Sequence, residues 1–132
     1  MRAAAILALA MVPALVGGCE KSCDAGEICT WFGTPQISGM SPEGTHRLDA
    51  STFWVVDVVF HPRDGWPVIM DWNNHRLVTL DGDESIEVIT GVGGFLGDGP
   101  EGDAHGAEWN HPTDVAWLSD DTMILAAWHN SR

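Results

Sequence analysis

Beyond residue 18 the hydrophobic positions of this chain fall into short runs of β-branched and aromatic residues separated by clusters of Gly, Pro, Asn and Asp, and none has helical periodicity. Residues 52–61 (TFWVVDVVFH), 66–72 (WPVIMDW), 75–80 (HRLVTL) and 85–91 (SIEVITG) each read as a strand, with turns at 62–65 (PRDG), 73–74 (NN) and 81–84 (DGDE). That order predicts an antiparallel four-stranded meander. A long loop, 92–111, leads to two more predicted strands, 112–118 and 122–128, joined by a turn at 119–121. Upstream, 26–33 (GEICTWFG) is predicted as a further strand and 34–50, rich in Gly, Ser and Pro, as a second long loop.

The two sets are degenerate copies of each other. Pro42-Glu43-Gly44 answers Pro100-Glu101-Gly102, Ala50 answers Ala107, and Asp57-Val58-Val59-Phe60 answers Asp114-Val115-Ala116-Trp117. Asp71-Trp72-Asn73-Asn74-His75-Arg76 answers Ala127-Trp128-His129-Asn130-Ser131-Arg132, and residues 28–33 answer 86–91. The offset drifts from 58 to 57 to 56, as single-residue losses in loops would cause while strands keep their pattern. Short antiparallel strands repeated at a fixed period are the signature of a propeller blade.

The stretch GDGPEGDAHGAEWNHPTDVAW at 97–117, followed by a hydrophobic strand and then WNNHR or WHNSR, resembles the NHL repeat. Blades of that family read as a Gly-Asp-Gly-rich loop, an Asn-His-Pro-x-x-Val-Ala strand and an Asn-His-Arg turn. The resemblance covers residues 28–132, with repeats of about 28–85 and 86–132, and is strongest at 97–116 and 71–76. It weakens at 34–50, where the Gly-Asp-Gly is missing, and at Trp54, which stands where His111 does. It implies an all-β chain of antiparallel four-stranded blades, about one and a half to two of them, in an incomplete β-propeller ring. Closed propellers have about 4 to 8 blades, so the expectation is a piece or truncated frame of a longer propeller, or several copies assembling into a ring. The strand expected at 26–33 would be the outermost strand of a preceding blade.

The up-and-down path of a blade brings the turn between its second and third strands to the same rim as the long loop before its first strand. Loops 34–50 and 92–111 are therefore expected to share a face with the turns at 72–75 and 128–131. Trp72, Asn73, Asn74, His75, Asp98, Glu101, Asp103, Trp128 and His129 form the candidate binding face. The plainer alternative has Trp72 and Trp128 sealing the gap between blades while the Asn residues satisfy their own turns. His61-Pro62 and His111-Pro112 look alike but lie at opposite ends of their strands, so no metal site is expected from them. Asp81-Gly82-Asp83 fails as a calcium loop because Ile86 stands where Gly is needed and Val92 where Glu is needed.

The amino terminus reads as an address. Arg2 supplies a positive start, residues 3–16 an apolar core, and Val16-Gly17-Gly18-Cys19 a site resembling the lipobox of bacterial lipoproteins, in which Cys19 is acylated. A plain secretory signal with an incidental cysteine is the alternative. The expected organisation is a leader at 1–18, a tether at 19–27 and the repeats at 28–132, lipid-anchored in the cell envelope, with the outer membrane preferred because Glu20, and not Asp, follows the cysteine. With Cys19 taken by lipid, Cys23 and Cys29 remain for a disulfide in an oxidising compartment; a metal pair or free thiols are the alternatives.

Composition narrows the function classes. The formal charge of −13 and the scatter of Lys21, Arg47, Arg63, Arg76 and Arg132 among 19 carboxylates exclude a nucleic-acid surface. No Gly-x-Ser-x-Gly elbow occurs, and the Gly-x-Gly at 97–99 sits in an all-β context that excludes the dinucleotide fingerprint. The expected function is an envelope binding scaffold whose loop face holds a protein, peptide or glycan, with no cofactor implied. A fragment of a propeller-type lyase or hydrolase, its catalytic groups lining the channel, is the alternative and the less favoured one.

Overall fold

A computed structural model describes residues 23–99 and 101–130. The leader expected at 1–18 and the lipidation expected at Cys19 lie outside the described residues. The chain is all-β, with strands β1 (Val55–Phe60), β2 (Pro67–Asp71), β3 (Arg76–Leu80), β4 (Ile86–Thr90), β5 (Pro112–Trp117) and β6 (Met123–Ala127), plus two single 3-10 turns at Trp72–Asn74 and Trp128–Asn130. Strands β1 to β4 form one antiparallel sheet in sequence order, and β5 and β6 form a second. Among the described residues no helix is long and apolar enough to cross a membrane.

Period-2 alternation along the central strands sends side chains to both faces of the first sheet. On one face Ile69, Val78 and Ile86 pack with Ala50, covered by Phe32 and the loop at 34–50. On the other, Val68, Met70 and Leu77 meet Val115 of the second sheet, with Trp66, Trp117, Met123 and Leu125 around them. Side chains of this size contribute roughly 1.5–3 kcal/mol each when fully buried, so β2 and β3, buried along almost their whole length, hold the fold. Strand β1 is the contrast: five of its six residues are exposed, although it carries four Val where β2 carries one.

The copies found in the sequence make corresponding bonds. Gly33 N–H donates to Arg47 O and Gly91 N–H to Ala104 O; Thr34 donates to Ala50 O and Val92 to Ala107 O. Gly39 donates to Thr52 O and Gly97 to Trp109 O; Ser41 donates to Ser51 O and Gly99 to Glu108 O. Each long loop thus lies as an extra, irregular strand against the approach to its own first strand. Register shifts fall at matching places too, at Val55/Val58 in β1 and Pro112/Asp114 in β5. A one-residue bulge there re-aims the strand as it enters the sheet.

The strand expected at 26–33 does not form. Strand composition makes a strand only where an edge is available to pair with, and this segment's bonds go elsewhere: Gly33 and Thr34 are tied to the loop at 47–50. Ahead of them, Cys23 and Cys29 are joined in a disulfide with Cα atoms 5.9 Å apart, and Ile28 between them is fully exposed.

Candidate functional site

One rim gathers the long loops and the 3-10 turns. Its structural hub is Asp71, at the end of β2 and 0% exposed. Its Oδ1 accepts Phe53 N–H at 2.8 Å, both carboxylate oxygens accept from Asn74 Nδ2 at 2.9 and 2.8 Å, and Oδ2 accepts Arg76 Nε at 2.9 Å. Asn74 Nδ2 also reaches Gly39 O at 2.7 Å, and Arg76 Nη1 reaches Ser41 O at 2.9 Å. A buried carboxylate is tolerable only when its charge is paired and its lone pairs are filled, and here filling them pins loop 34–53 to the turn after β2.

The turn's conformation follows from the same demand. His75 closes it in the left-handed region at φ 57°, with its N–H on Trp72 O at 3.1 Å. Gly91, at φ 95°, passes so close that a Cβ would stand 2.5 Å from His75 O. In the second unit, Asn130 Nδ2 takes Gly97 O at 2.5 Å and Asp98 Oδ1 at 3.1 Å, and its Oδ1 accepts Asn110 N–H at 2.6 Å. The Gly-x-Gly of that loop has a steric reason: a Cβ at Gly97 or Gly99 would overlap Glu108.

On this frame lies a row of aromatic rings. Trp54 stacks on Trp72 with centroids 5.8 Å apart and planes 29° apart, and Trp72 on Trp128 at 6.2 Å and 30°. Trp54 is 66% exposed and Trp128 63%, with Trp72 half-buried between them. His111 packs on Trp72 with centroids 4.0 Å apart, and His129 lies beside Trp128 at 4.5 Å. His111 N–H points to His75 Nδ1 at 3.3 Å, and the Nδ1 atoms of His111 and His129 are 2.8 Å apart. Burial lowers the pKa of His75, helped by His111 and opposed by Asp71; burial and then His129 lower that of His111. Both imidazoles are therefore biased toward the neutral form.

The candidate residues separate into two groups. Trp72, Trp128 and His129 present their rings on the rim, and Asn73, half-buried, has its N–H on Phe53 O at 3.0 Å. Asn74 and His75 are buried and spent on internal bonds, so they build the face and do not present it. Asp98 reaches the rim through Asn130, whereas Asp103 turns its carboxylate onto His105 N–H, and Glu101 stands exposed. Among the described residues the single group of three or more converging metal-ligand side chains is Cys23, Glu27 and Cys29, and its sulfurs are already bonded to each other. Trp54 and His111 belong to the rim but were not on the candidate face. The signal was in the repeat itself, since both precede the first strand of their unit, which starts at this rim.

At the opposite rim His61 is 5% exposed. It is stacked on Trp66 at 5.0 Å and meets Trp117 edge-on at 4.6 Å, with Asp64 and Asp121 near its nitrogens. It clamps the two sheets together, and the two His-Pro sites lie on opposite rims.

No protein-family model matches this chain, and no curated protein compared with it gives a significant match.

Proposed function

We propose that this chain is a lipid-anchored cell-envelope binding scaffold built of NHL-type propeller blades, which holds a protein, peptide or glycan partner at the rim carrying Trp54, Trp72 and Trp128. The observation that carries the reading is that row of near-parallel indoles, exposed at both ends. Exposed indoles supply large, rigid contact area at low entropic cost, and Asn73, Asp98 and His129 border the row with polar groups that can fix orientation. The repeated loop bonds, the bulges at matching positions and the order of the four-stranded sheet support the blade assignment. The leader and the Val-Gly-Gly-Cys site support the anchor. Among the described residues nothing specific favours a lyase or hydrolase.

The test compares wild type with Trp54→Ala and Trp128→Ala for binding to purified peptidoglycan sacculi and envelope polysaccharide, with circular dichroism as the folding control. Each exposed ring should be worth about 1 kcal/mol or more of affinity. Retention of full binding to every such ligand by the double variant would remove this rim from the account.

A further inference from the structure

Among the described residues, the closest contact between titratable rings lies within the second unit. His111 closes the loop ahead of β5 and His129 sits in the turn after β6. Their Nδ1 atoms are 2.8 Å apart, their ring centroids 4.7 Å and their planes 86°. Both are held by backbone: Trp128 N–H donates to His111 O and His129 N–H to Asn110 O, each at 3.1 Å, while His111 sits at φ 63° with its ring on Trp72. The pair is thus fixed by two bonds donated from residues 128–129 to the carbonyls of 110–111.

We propose that His111 and His129 form a two-imidazole chelate for a divalent late transition-metal ion, with water completing the coordination. With metal–nitrogen bonds of about 2.0–2.1 Å, two nitrogens bound at roughly 90° stand about 2.9 Å apart with ring centres about 4.5 Å apart. A straight N–H···N bond of the observed length would push the ring centres to about 5.1 Å by the same ring dimensions. The observed 4.7 Å lies between the two, and the 2.8 Å separation of the nitrogens is close to that of the chelate. Neutral imidazole is the ligating form and suits Cu, Ni and Zn, with Cu2+ bound most tightly along the divalent series. A formal charge of −13 raises the cation concentration around the molecule. This proposal shares His129 with the rim that borders the indole row, but its test reads the metal ion and not the partner held there.

The experiment titrates CuCl2 into the whole chain and follows tryptophan emission and the Cu2+ electron paramagnetic resonance spectrum. The rings of Trp72 and Trp128 lie against the two ligands, so one equivalent of Cu2+ should quench emission and the spectrum should show at least two nitrogen ligands. Loss of even an outer partner weakens metal sites by about 10–100-fold, so His129→Ala should weaken binding at least about tenfold and abolish the quench. His129 is exposed, and His129→Asn provides a second variant that keeps a polar side chain. His105→Ala, which removes an exposed histidine from the adjoining loop, should change neither signal. Unchanged affinity and quenching in both His129 variants, or wild-type protein that binds Cu2+ without quenching, overturns the proposal.

Discussion

Asn74 and Asn130 do the same work in successive units: each side-chain amide donates to a glycine carbonyl in the loop before its own first strand, Gly39 at 2.7 Å and Gly97 at 2.5 Å. The difference lies in what else they hold. Asn74 is buried against the Asp71 carboxylate, whereas Ala127 occupies the Asp71 position in the second unit and leaves Asn130 with the exposed Asp98.

Unequal costs follow. Asn74→Ala strips donors from a buried carboxylate and a half-buried carbonyl and should cost about 2–3 kcal/mol. Asn130→Ala, whose site water can reach, should cost about 1 kcal/mol or less. Urea denaturation of the two variants checks the ranking, and equal losses would contradict the role given to Asp71.

The Asp71–Arg76 ion pair should behave as a buried one. Asp71→Asn leaves the guanidinium, 4% exposed, without its counter-charge, and breaking such a pair costs about 3–5 kcal/mol. In contrast, the exposed Arg63–Asp121 pair should be worth less than about 1 kcal/mol, so Arg63→Ala should barely move the melting temperature.

Two left-handed glycines separate backbone strain from collision. Gly65, at φ 72°, has open space where a Cβ would go, so Gly65→Ala carries only the left-handed penalty of about 1–2 kcal/mol. Gly91→Ala carries that penalty plus a Cβ 2.5 Å from His75 O. It should lose clearly more in thermal melts, and the rim bonds of Asn74 should loosen with it.

The histidines set a pH dependence of definite sign. His75 and His111 have folded-state pKa values below 6.5, mainly through burial, so the unfolded chain binds more protons in the window just below 6.5. Stability from these groups is complete above pH 6.5 and is lost as pH falls through the folded values. Melting temperature should therefore drop between pH 7.5 and 5, and His111→Gln should flatten that slope. A melting temperature that rises toward pH 5 would contradict the burial of these rings.

Much of the fold was legible because strands and turns announce themselves locally: PRDG, NN and DGDE bracket runs of alternating apolar residues. The rim grouping was also legible, since it follows from strand direction alone. The segment 26–33 misled because GEICTWFG has strand composition, while pairing depends on an edge the sequence does not display. Asp71 was hidden for a related reason: its partners Phe53, Asn74 and Arg76 come from both sides of β2, and Asp in WPVIMDW reads as a strand end. His111 and His129 are 18 positions apart and meet only because the two backbone bonds at 110–111 and 128–129 bring loop and turn together.

The central claim is that the chain is two successive copies of one loop-and-sheet unit, and amide hydrogen exchange resolved by residue tests it most directly. The account predicts matched protection at Gly33 and Gly91, Thr34 and Val92, Gly39 and Gly97, and Ser41 and Gly99, pairs 58 positions apart whose N–H groups make corresponding bonds. The first member of each pair should exchange more slowly where its loop covers the Ile69–Val78–Ile86 core. Protection in the first set with free exchange throughout the second, or protection at positions that do not correspond, would contradict the repeat.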